Sequence, residues 1–422
     1  MDALSAADRA AIESHGLTEQ EVARQLALLR EPPAPQRLAR AATAGDGVLR
    51  LAEGEHAELL ALAAEAARAG RLTKFVPASG AASRMFAFLA PGSPETAEKK
   101  RFDESRSMFA FRGSFEELSL APKALIPFHT HPDGARTAFE EHLFEAADTV
   151  RDASGLCRVH FTVSPEHRKA FEDKLAEVRP RVQSATGARF KVSFSEQSSS
   201  TDTIAGGADG GPFRTDSGGL LFRPGGHGAL LKNLGDVAGA GGDIVLVKNV
   251  DNVVPDARRG PTLLWKRLLA GLLVKLERAS RRERPIRVCG VVRNEGEPGG
   301  GPFWVAGPLG ESLQIVESAQ VDLGDPAQAA IWKTATHFNP VDLACSLRNA
   351  AGDPFELGRF VDEKAVFIAE KTHEGKSLKA LERPGLWNGA MAFWETVLVE
   401  VPKETFAPVK TVLDLLRPEH RS

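Results

Sequence analysis

The sequence has no tyrosine and only three cysteines among its 422 residues. The cysteines, Cys157, Cys289 and Cys345, are odd in number and far apart, so neither a disulfide framework nor a cysteine-based zinc site is indicated. This sparing use of cysteine fits a reducing compartment, and we expect a cytoplasmic protein.

An excess of charge of one sign is also lacking, because 53 Lys and Arg stand against 56 Asp and Glu, for a formal net charge of −3. Such a balance provides no overall field that would attract nucleic acid or an anionic membrane. We therefore expect neither as a partner, and an anionic ligand would have to be held by a local group of residues.

Long apolar runs are absent as well. The opening "MDALSAADRAAIESHGL" has no apolar segment typical of a secretory signal, and no run reaches the ~20 residues that span a bilayer. The longest, "LLWKRLLAGLLVKL", carries three Lys or Arg and predicts a buried amphipathic helix. The P-loop pattern Gly-x-x-x-x-Gly-Lys-Ser/Thr does not occur, which argues against a P-loop ATPase.

Strand-like segments alternate with helical ones along most of the chain. Residues 1–30 are expected to be helical, with Thr18 as a cap and Glu21 at the capping-box spacing, and residues 37–70 are Ala/Leu/Glu-rich and expected to be helical too. The β-rich segments are "KFVPAS" (74–79), "RVHFTVSP" (158–165), "RFKVSFSEQ" (189–197), "DIVLVKNVDN" (243–252) and "IRVCGVVRNEG" (286–296). The alternation predicts an α/β fold with a mainly parallel central sheet.

Composition divides the chain into three segments in this interpretation. Residues 1–70 form an N-terminal helical segment, residues 71–350 an α/β domain, and residues 351–422 a smaller C-terminal lobe. No internal repeat is visible, and no clean boundary precedes residue 350.

Small residues follow the first strand in "KFVPASGAASRMFAFL" (74–89). Ser79, Gly80 and Ala81 would let backbone N–H groups approach a phosphate, and Arg84 would add a positive charge. The alternative is an ordinary strand-to-helix turn whose small residues serve close packing.

Three further stretches have the residue types that a phosphate-transfer site needs. Pro122 restricts the backbone before Lys123, whose ammonium suits a phosphate that gains charge in a reaction. Gly225 and Gly226 stand in "LLFRPGGHGALLKNL", a loop that could press against a flat base. Asp251 follows a buried strand, where a carboxylate could bind Mg²⁺ together with substrate phosphates. Each also has a plain structural interpretation: an exposed lysine, a glycine turn and an Asp-Asn turn.

The order of these four motifs resembles that of sugar-1-phosphate nucleotidyltransferases, specifically the eukaryotic-type UDP-sugar pyrophosphorylases such as those acting on UDP-N-acetylhexosamine. Those enzymes carry Gly-x-Gly-Thr-Arg-Leu, a later Pro-Lys, a Gly-Asn-Gly-Gly loop and a strand with Val-Asp-Asn. "LQIVESAQVD" (313–322) resembles their Val-Val-Glu-Tyr-Ser-Glu segment. The chain as a whole also resembles a bacterial family of unknown function with the signatures "FVPASGAASRM" and "GLWNGAMA".

The resemblance implies a glycosyltransferase-A-like, Rossmann-like fold and the reaction of an NTP with a sugar 1-phosphate to an NDP-sugar and pyrophosphate, with Mg²⁺ as cofactor. The roles it implies are Arg84 and Lys123 in catalysis; Ser79, Gly80, Ala81, Gln197, Gly225 and Gly226 in nucleotide binding; Gly290 and Glu317 at the sugar; and Asp251 at the metal. The stretch "GLWNGAMAFWETVLVEVP" (385–402) is expected to be core, with closure of Asn388 or Lys371 over the substrate phosphates as the alternative.

Two other functions remain open at this stage. A glycosyltransferase that uses an NDP-sugar would need the strand-end Asp and a metal but no Pro-Lys. A non-catalytic sugar-nucleotide-binding protein is favoured by Ala81 and Ala82, which stand where the pyrophosphorylases have a second glycine.

Two pairs of polar residues outside these motifs receive a structural interpretation. Thr201 and Asp202 are interpreted as a helix cap rather than as part of a base pocket. His129 and His131 are expected in a surface turn, because two histidines without a third ligand make a poor zinc site.

Overall fold

A mixed sheet of nine strands lies at the centre of the computed structural model, which describes residues 4–297, 299–307 and 310–421. The strands of the described residues, in chain order, are β1 (Leu38–Ala41), β2 (Thr43–Ala44), β3 (Gly47–Leu49), β4 (Leu72–Pro77), β5 (Pro127–His131), β6 (Gly134–Thr137), β7 (Leu156–Val163), β8 (Arg189–Glu196), β9 (Thr203–Ile204), β10 (Phe222–Arg223), β11 (Ile244–Val247), β12 (Ile286–Arg293), β13 (Gly301–Gly307), β14 (Gly310–Val316), β15 (His337–Ser346), β16 (Phe367–His373), β17 (Lys376–Glu382) and β18 (Glu395–Glu400).

Helices cover both faces of this sheet. The helices of the described residues are α1 (Ala6–Ser14), α2 (Glu19–Arg30), α3 (Glu53–Arg68), α4 (Ala97–Glu104), α5 (Phe115–Leu120), α6 (Ala138–Thr149), α7 (Arg168–Thr186), α8 (Leu230–Gly239), α9 (Gly260–Ala279) and α10 (Pro326–Trp332). The Thr18 hydroxyl accepts from the Glu21 N–H and caps α2, as its position in the sequence predicts. The apolar run with three basic residues forms the buried helix α9.

The strand order in the central sheet is β2-β3-β18-β12-β15-β11-β4-β7-β8. Strand β15 runs antiparallel to both of its neighbours, and the other adjacent pairs are parallel. The prediction of an α/β fold with a mostly parallel sheet is therefore confirmed. The carboxyl ends of β4, β7 and β11 meet at one edge, where open α/β sheets place their ligands.

Alternate residues of β11 enter opposite layers of the core. Ile244 and Leu246 pack in the apolar layer that includes α3, α6, α7 and α9, whereas Val245 and Val247 pack with α8. All four residues are buried, as expected for a strand covered on both faces. Helices α3 and α9 touch so closely that a Cβ on Gly271 would lie 1.9 Å from the carbonyl oxygen of Leu59.

The prediction of a helix over residues 37–70 is wrong for its first half. Strand β1 pairs with β13 and strand β3 pairs with β18, and only α3 is helical in this stretch. The helical composition of the segment is overridden because both strands obtain partners more than 250 positions away in the sequence.

The three predicted segments do not correspond to separate structural layers. Strand β3 comes from the first segment, β18 from the last and β12 from the middle one, and β18 lies between the other two. The last 70 residues thus complete the central sheet as well as forming the β16–β17 hairpin. Among the described residues, no helix has the length and apolar character needed to cross a membrane.

Candidate active site

The loop after β4 presents small, exposed residues at the carboxyl edge of the sheet. Ser79, Gly80 and Ala81 are exposed, and a Cβ added to Gly80 would meet no atom within 4 Å. The Lys123 N–H donates to the Gly80 carbonyl at 3.0 Å, and the Ala82 N–H donates to the Ala121 carbonyl at 3.0 Å. The first two sequence motifs are therefore joined by a short antiparallel bridge.

Two lysines meet on one carboxylate beside this loop. Lys123 Nζ donates to Asp251 Oδ2 at 2.8 Å, and Lys410 Nζ donates to the same oxygen at 3.0 Å. The backbone fixes this meeting, because the Val409 N–H donates to the Asp251 carbonyl at 3.0 Å. Lys123 and Asp251 are largely buried, whereas the Lys410 side chain is 63% exposed.

The electrostatics of this group favour an ionised carboxylate. Burial would raise the pKa of Asp251, but Lys123 and Lys410 hold that pKa below its ordinary value. Burial lowers the pKa of Lys123, and the charge of Asp251 opposes this change. The Lys123 ammonium is therefore poorly hydrated, so an incoming anion would displace little water from it.

The glycine loop before α8 forms the opposite wall. Gly226 has φ +76° and lines the cleft, and His227 next to it meets the Trp387 ring at a centroid distance of 4.2 Å. Burial, with a smaller effect of Lys410, lowers the pKa of His227 to about 4. This wall therefore offers a neutral imidazole and an indole, which are surfaces suited to a flat, uncharged group.

These walls enclose a cleft of about 890 Å³. It is lined by Pro77, Ser79, Gly80, Ala81, Ser83, Arg84, Met85, Lys123, Gln197, Gly226, His227, Leu230, Asn249, Val250, Asp251, Trp387 and Lys410. Asp251 carries the single carboxylate among these described residues, against the cations Arg84, Lys123 and Lys410. Arg84 makes no hydrogen bond or ion pair within the described part of the chain, so the cleft has a positive excess suited to an anion.

A sequence-family model matches the chain in three overlapping segments, residues 5–119, 114–282 and 279–421. The model describes the family as "Domain of unknown function (DUF4301)". The chain belongs to this family. No curated protein matches the sequence.

Solved structures share the fold of this DUF4301 chain at low sequence identity. The uridine diphosphate N-acetylglucosamine pyrophosphorylase from Trypanosoma brucei has a TM-score of 0.60 at 14% identity, over 98% of this chain and 79% of its own. A mutant UDP-glucose pyrophosphorylase from Leishmania major, in complex with UDP-glucose, has a TM-score of 0.55 at 16% identity, and the match covers 98% of this chain and 79% of the other. A putative UDP-N-acetylglucosamine pyrophosphorylase from Entamoeba histolytica has a TM-score of 0.52 at 13% identity, and the match covers 84% of this chain and 80% of the other.

Four of the sequence-predicted residues of the DUF4301 chain do not line the cleft: Gly225, Gly290, Glu317 and Asn388. For the two glycines the reason is that neighbouring residues occupy the space around them. A Cβ on Gly225 would lie 2.2 Å from the Thr201 carbonyl oxygen, so this glycine permits close backbone packing rather than contact with a base. Gly290 lies inside β12, where a Cβ would meet Leu269 and Val401 at 3.1 Å. The prediction that these two residues contact substrate is not met by their positions.

Glu317, predicted at the sugar, and Asn388, the candidate for the substrate phosphates, lie in a second polar group. Asn339 Nδ2 donates to Glu317 Oε1 at 2.6 Å, and the Asn388 side chain also approaches the Glu317 carboxyl. Burial raises the pKa of Glu317, and the two amides partly offset this rise. Asn388 is buried and donates to the Ile315 carbonyl, and its neighbour Trp387 lines the cleft. Lys371 is exposed on the β16–β17 hairpin and does not line the cleft.

The histidine pair is not in a surface turn, so that prediction is wrong. His129 and His131 lie on β5 and are 2% and 8% exposed, and both contact Glu141 of α6. The third group is 10 residues beyond His131 in the sequence, on a different element, which is why the short motif did not reveal it.

The helix-cap interpretation is confirmed for Asp202, which is the C-terminal cap residue of the short 3₁₀ helix Ser199–Thr201 and whose N–H donates to the Ser199 carbonyl. It is wrong for Thr201: the N-terminal cap is the Ser198 hydroxyl, and the Thr201 hydroxyl donates back to the Ser198 carbonyl at 2.6 Å.

Sequence reasoning missed Lys410, which comes from the last 15 residues of the described chain. The one signal is its isolation in "TFAPVKTVL", a charged residue in an apolar stretch two positions after a proline.

A buried ionic network lies beneath the cleft. Lys74 of β4 and Lys248, just after β11, donate to the two oxygens of Glu145 at 2.8 and 3.0 Å. Lys266 of α9 donates to Asp342 at 2.6 Å. Burial lowers the pKa of Lys74 to about 7, against the attraction of Glu145. The network joins β4 and β11, the two strands whose ends carry the Gly80 loop and Asp251.

Proposed function

We propose that the chain is a nucleotidyltransferase that converts an NTP and a sugar 1-phosphate into an NDP-sugar and pyrophosphate. The observation that carries the proposal is the convergence of Lys123 and Lys410 on Asp251, next to the open Gly80 loop in a cleft of about 890 Å³. The fold shared with solved structures of UDP-sugar pyrophosphorylases supports it.

In this reaction a phosphate oxygen of the sugar 1-phosphate attacks the α-phosphorus of the NTP, and the bond to the leaving pyrophosphate breaks. The protein supplies no nucleophile, so its contribution is to align the reactants and stabilise charge. Lys123 would stabilise the negative charge that grows on the α-phosphate. The backbone N–H groups of Ser79 to Ala81, with Arg84, would hold the leaving pyrophosphate.

Residues of the opposite wall would select the base and the sugar. Gln197 lines the cleft at the end of β8 and would hydrogen-bond a base edge, while the Gly226 backbone, which also lines the cleft, would pack on the base. Glu317, which contacts Asn339 and Asn388 and lies outside the cleft lining, would contact sugar hydroxyl groups, and Asn388 would contact the substrate. The partners proposed are therefore an NTP and a sugar 1-phosphate.

The residues present fit a single-carboxylate Mg²⁺ site. Asp251 Oδ1 is buried and has no hydrogen-bond partner within the described residues, while Oδ2 is taken by the two lysines. Mg²⁺ commonly uses one or two carboxylates, with phosphate oxygens and water completing six ligands. Asp251 would hold the ion through Oδ1, and the bound ion would neutralise charge on the substrate phosphates.

A pyrophosphate-release screen tests the proposal. The purified chain is incubated with Mg²⁺, each of four NTPs and a panel of sugar 1-phosphates, and pyrophosphate and NDP-sugar are both measured. We expect equal amounts of the two products for at least one pair. Binding of an NTP without release of pyrophosphate for any sugar 1-phosphate would contradict the proposal and indicate a binding protein.

Replacement of Lys123 tests its role in the chemical step. We expect Lys123→Ala to lower kcat by about 100-fold, or roughly 3 kcal/mol, which is typical for loss of one transition-state charge donor. Lys169→Ala is the matched control, because that lysine is exposed on α7 and its ion pair is with Asp173 of the same helix. Near-normal turnover of Lys123→Ala would remove Lys123 from the mechanism.

A further inference from the structure

A second cluster of functional groups lies outside the cleft, between β5 and α6. His129 Nδ1 is 3.0 Å from Glu141 Oε1, and His131 Nε2 is 2.7 Å from the same oxygen. One ligand atom from each residue lies within 4.8 Å of the other two. The three side chains are at most 4% exposed, so the cluster is part of the interior.

The atoms of these residues that face away from the cluster also have partners. His129 Nε2 is 2.9 Å from His420 Nδ1, near the end of the chain. Arg259 donates to Glu141 Oε2 at 2.7 Å, and the Asp256 carboxylate is 3.6 Å from His131 Nδ1. Outer contacts of this kind orient imidazole and carboxylate groups that ligate a metal ion.

The contact of each inner nitrogen with Glu141 depends on which nitrogen of that imidazole carries the proton. Glu141 Oε2 accepts from Arg259 and Oε1 lies against both imidazoles, so both oxygens of the carboxylate are engaged. If His129 donates from Nε2 to His420 and is neutral, its Nδ1 lone pair faces the Glu141 oxygen. A cation between the three residues removes this repulsion without charging a buried histidine.

We propose that His129, His131 and Glu141 bind a divalent first-row transition-metal ion, for which Zn²⁺ is the probe. Two imidazole nitrogens and one carboxylate oxygen match the donor preference of such ions, and Mg²⁺ disfavours nitrogen ligands. Bonds of about 2.0 Å in a tetrahedral site place ligand atoms about 3.3 Å apart. The observed separations of 2.7 and 3.0 Å need a small outward movement.

The ion would fasten the C-terminal segment to the core. His420, which packs on His129 with ring centroids 5.3 Å apart, follows Lys410 by 10 positions. Through His420 the metal site would therefore hold the segment that presents Lys410 to Asp251. This inference does not depend on the proposed function, because metal content is measured without substrate.

The metal content of the untagged chain tests the inference. The protein is purified without chelator and analysed by elemental mass spectrometry, and we expect about one transition-metal ion per chain. His131→Gln and Glu141→Gln are expected to lose it. His373→Gln, an exposed histidine of the β16–β17 hairpin, and Asp251→Asn, in the cleft, are expected to retain it.

Titration of the wild-type protein makes the outcome independent of how well the variants fold. After removal of metal with a chelator, Co²⁺ should give the visible absorption of a tetrahedral complex that saturates at about one equivalent, and Zn²⁺ should displace it. His420→Gln, which removes only the outer contact, should weaken binding about 10- to 100-fold. A metal-free chain that binds neither ion, or equal binding by Glu141→Gln and wild type, would overturn the inference.

Discussion

At the scale of single residues, the glycines of the candidate site serve two different purposes. Gly80 faces open space in the cleft, so its missing side chain leaves room for a ligand. Gly225 and Gly228 instead lie against the carbonyl oxygens of Thr201 and Pro384, so their missing side chains allow the chain to pack. The sequence alone gives the same signal, a glycine among small residues, for both purposes.

Two glycine substitutions separate these purposes. We expect Gly80→Val to change the free energy of unfolding by less than about 0.5 kcal/mol, because no protein atom is near, but to weaken NTP binding about tenfold or more. Gly225→Ala should cost about 1–3 kcal/mol or more in stability, because the new Cβ meets a backbone oxygen. Urea unfolding and NTP titration measure the two effects. A fully stable Gly225→Ala would show that the loop can move.

His227 should make stability depend on pH. Its pKa is lowered to about 4 in the folded protein, mainly by burial, against about 6.5 in an unfolded chain. As the pH falls from 6.5 towards 4, the unfolded chain takes up a proton that the folded protein does not accept, so stability decreases.

His227→Gln removes this proton uptake. Between pH 7.5 and pH 4.5 the variant should lose less stability than wild type, by on the order of 1–3 kcal/mol. Urea unfolding at the two pH values measures the difference, with the exposed His373→Gln as control. An identical loss in His227→Gln and wild type would contradict the low pKa of His227.

At the scale of elements, the ionic network beneath the cleft ties strands and helices together. Glu145 of α6 accepts hydrogen bonds from Lys74 of β4 and from Lys248, just after β11. Lys266 of α9 also lies 3.4 Å from Glu145 and bonds Asp342 of β15. The network therefore sets the relative positions of the strands that carry the Gly80 loop and Asp251.

Removing the Glu145 carboxylate should destabilise the folded protein. We expect Glu145→Gln to lower the free energy of unfolding by about 3–5 kcal/mol, because buried lysines lose their counter-charge. Glu172→Gln is the control, since its ion pair with Arg168 on α7 is largely exposed and should contribute less than about 0.5 kcal/mol. Chemical denaturation measures the free energy of unfolding of both variants. A smaller loss of stability in Glu145→Gln than in the control Glu172→Gln would argue against the network.

The strands predicted from the sequence are rich in apolar and β-branched residues, whereas four strands of the central sheet, β2, β3, β15 and β18, were not predicted. Strands β4, β7, β8, β11 and β12 coincide with the five predicted segments. Strand β15 begins "HFNP", and a proline argues against a central strand. Pro340 is tolerated because it sits where the β12–β15 register shifts.

At the scale of the whole molecule, the central sheet takes strands from both ends of the chain. Strand β18 lies between β3 and β12, so its removal would leave two strand edges without partners. The buried layers that contain β11 also include residues from each of the three predicted segments. We therefore expect the described core to unfold as a unit.

A fragment of residues 1–350 tests this expectation. We expect it to show no cooperative thermal transition and to aggregate, whereas the full chain unfolds in a single transition that circular dichroism and tryptophan fluorescence report at the same temperature. A soluble fragment with a sharp transition would show that residues 351–422 are a separate lobe, as the sequence suggested.

The sequence by itself determined the fold class and most of the cleft. Apolar strand patterns and motif order predicted the parallel sheet, the Gly80 loop, Lys123 and Asp251, because these depend on local conformation and on strand ends meeting at one edge. Only the tertiary structure decided the contacts of Lys410, the buried lysines and the His129–His131–Glu141 cluster. Their partners lie on separate elements, and long-range contacts leave no periodic or short-range pattern in a single sequence.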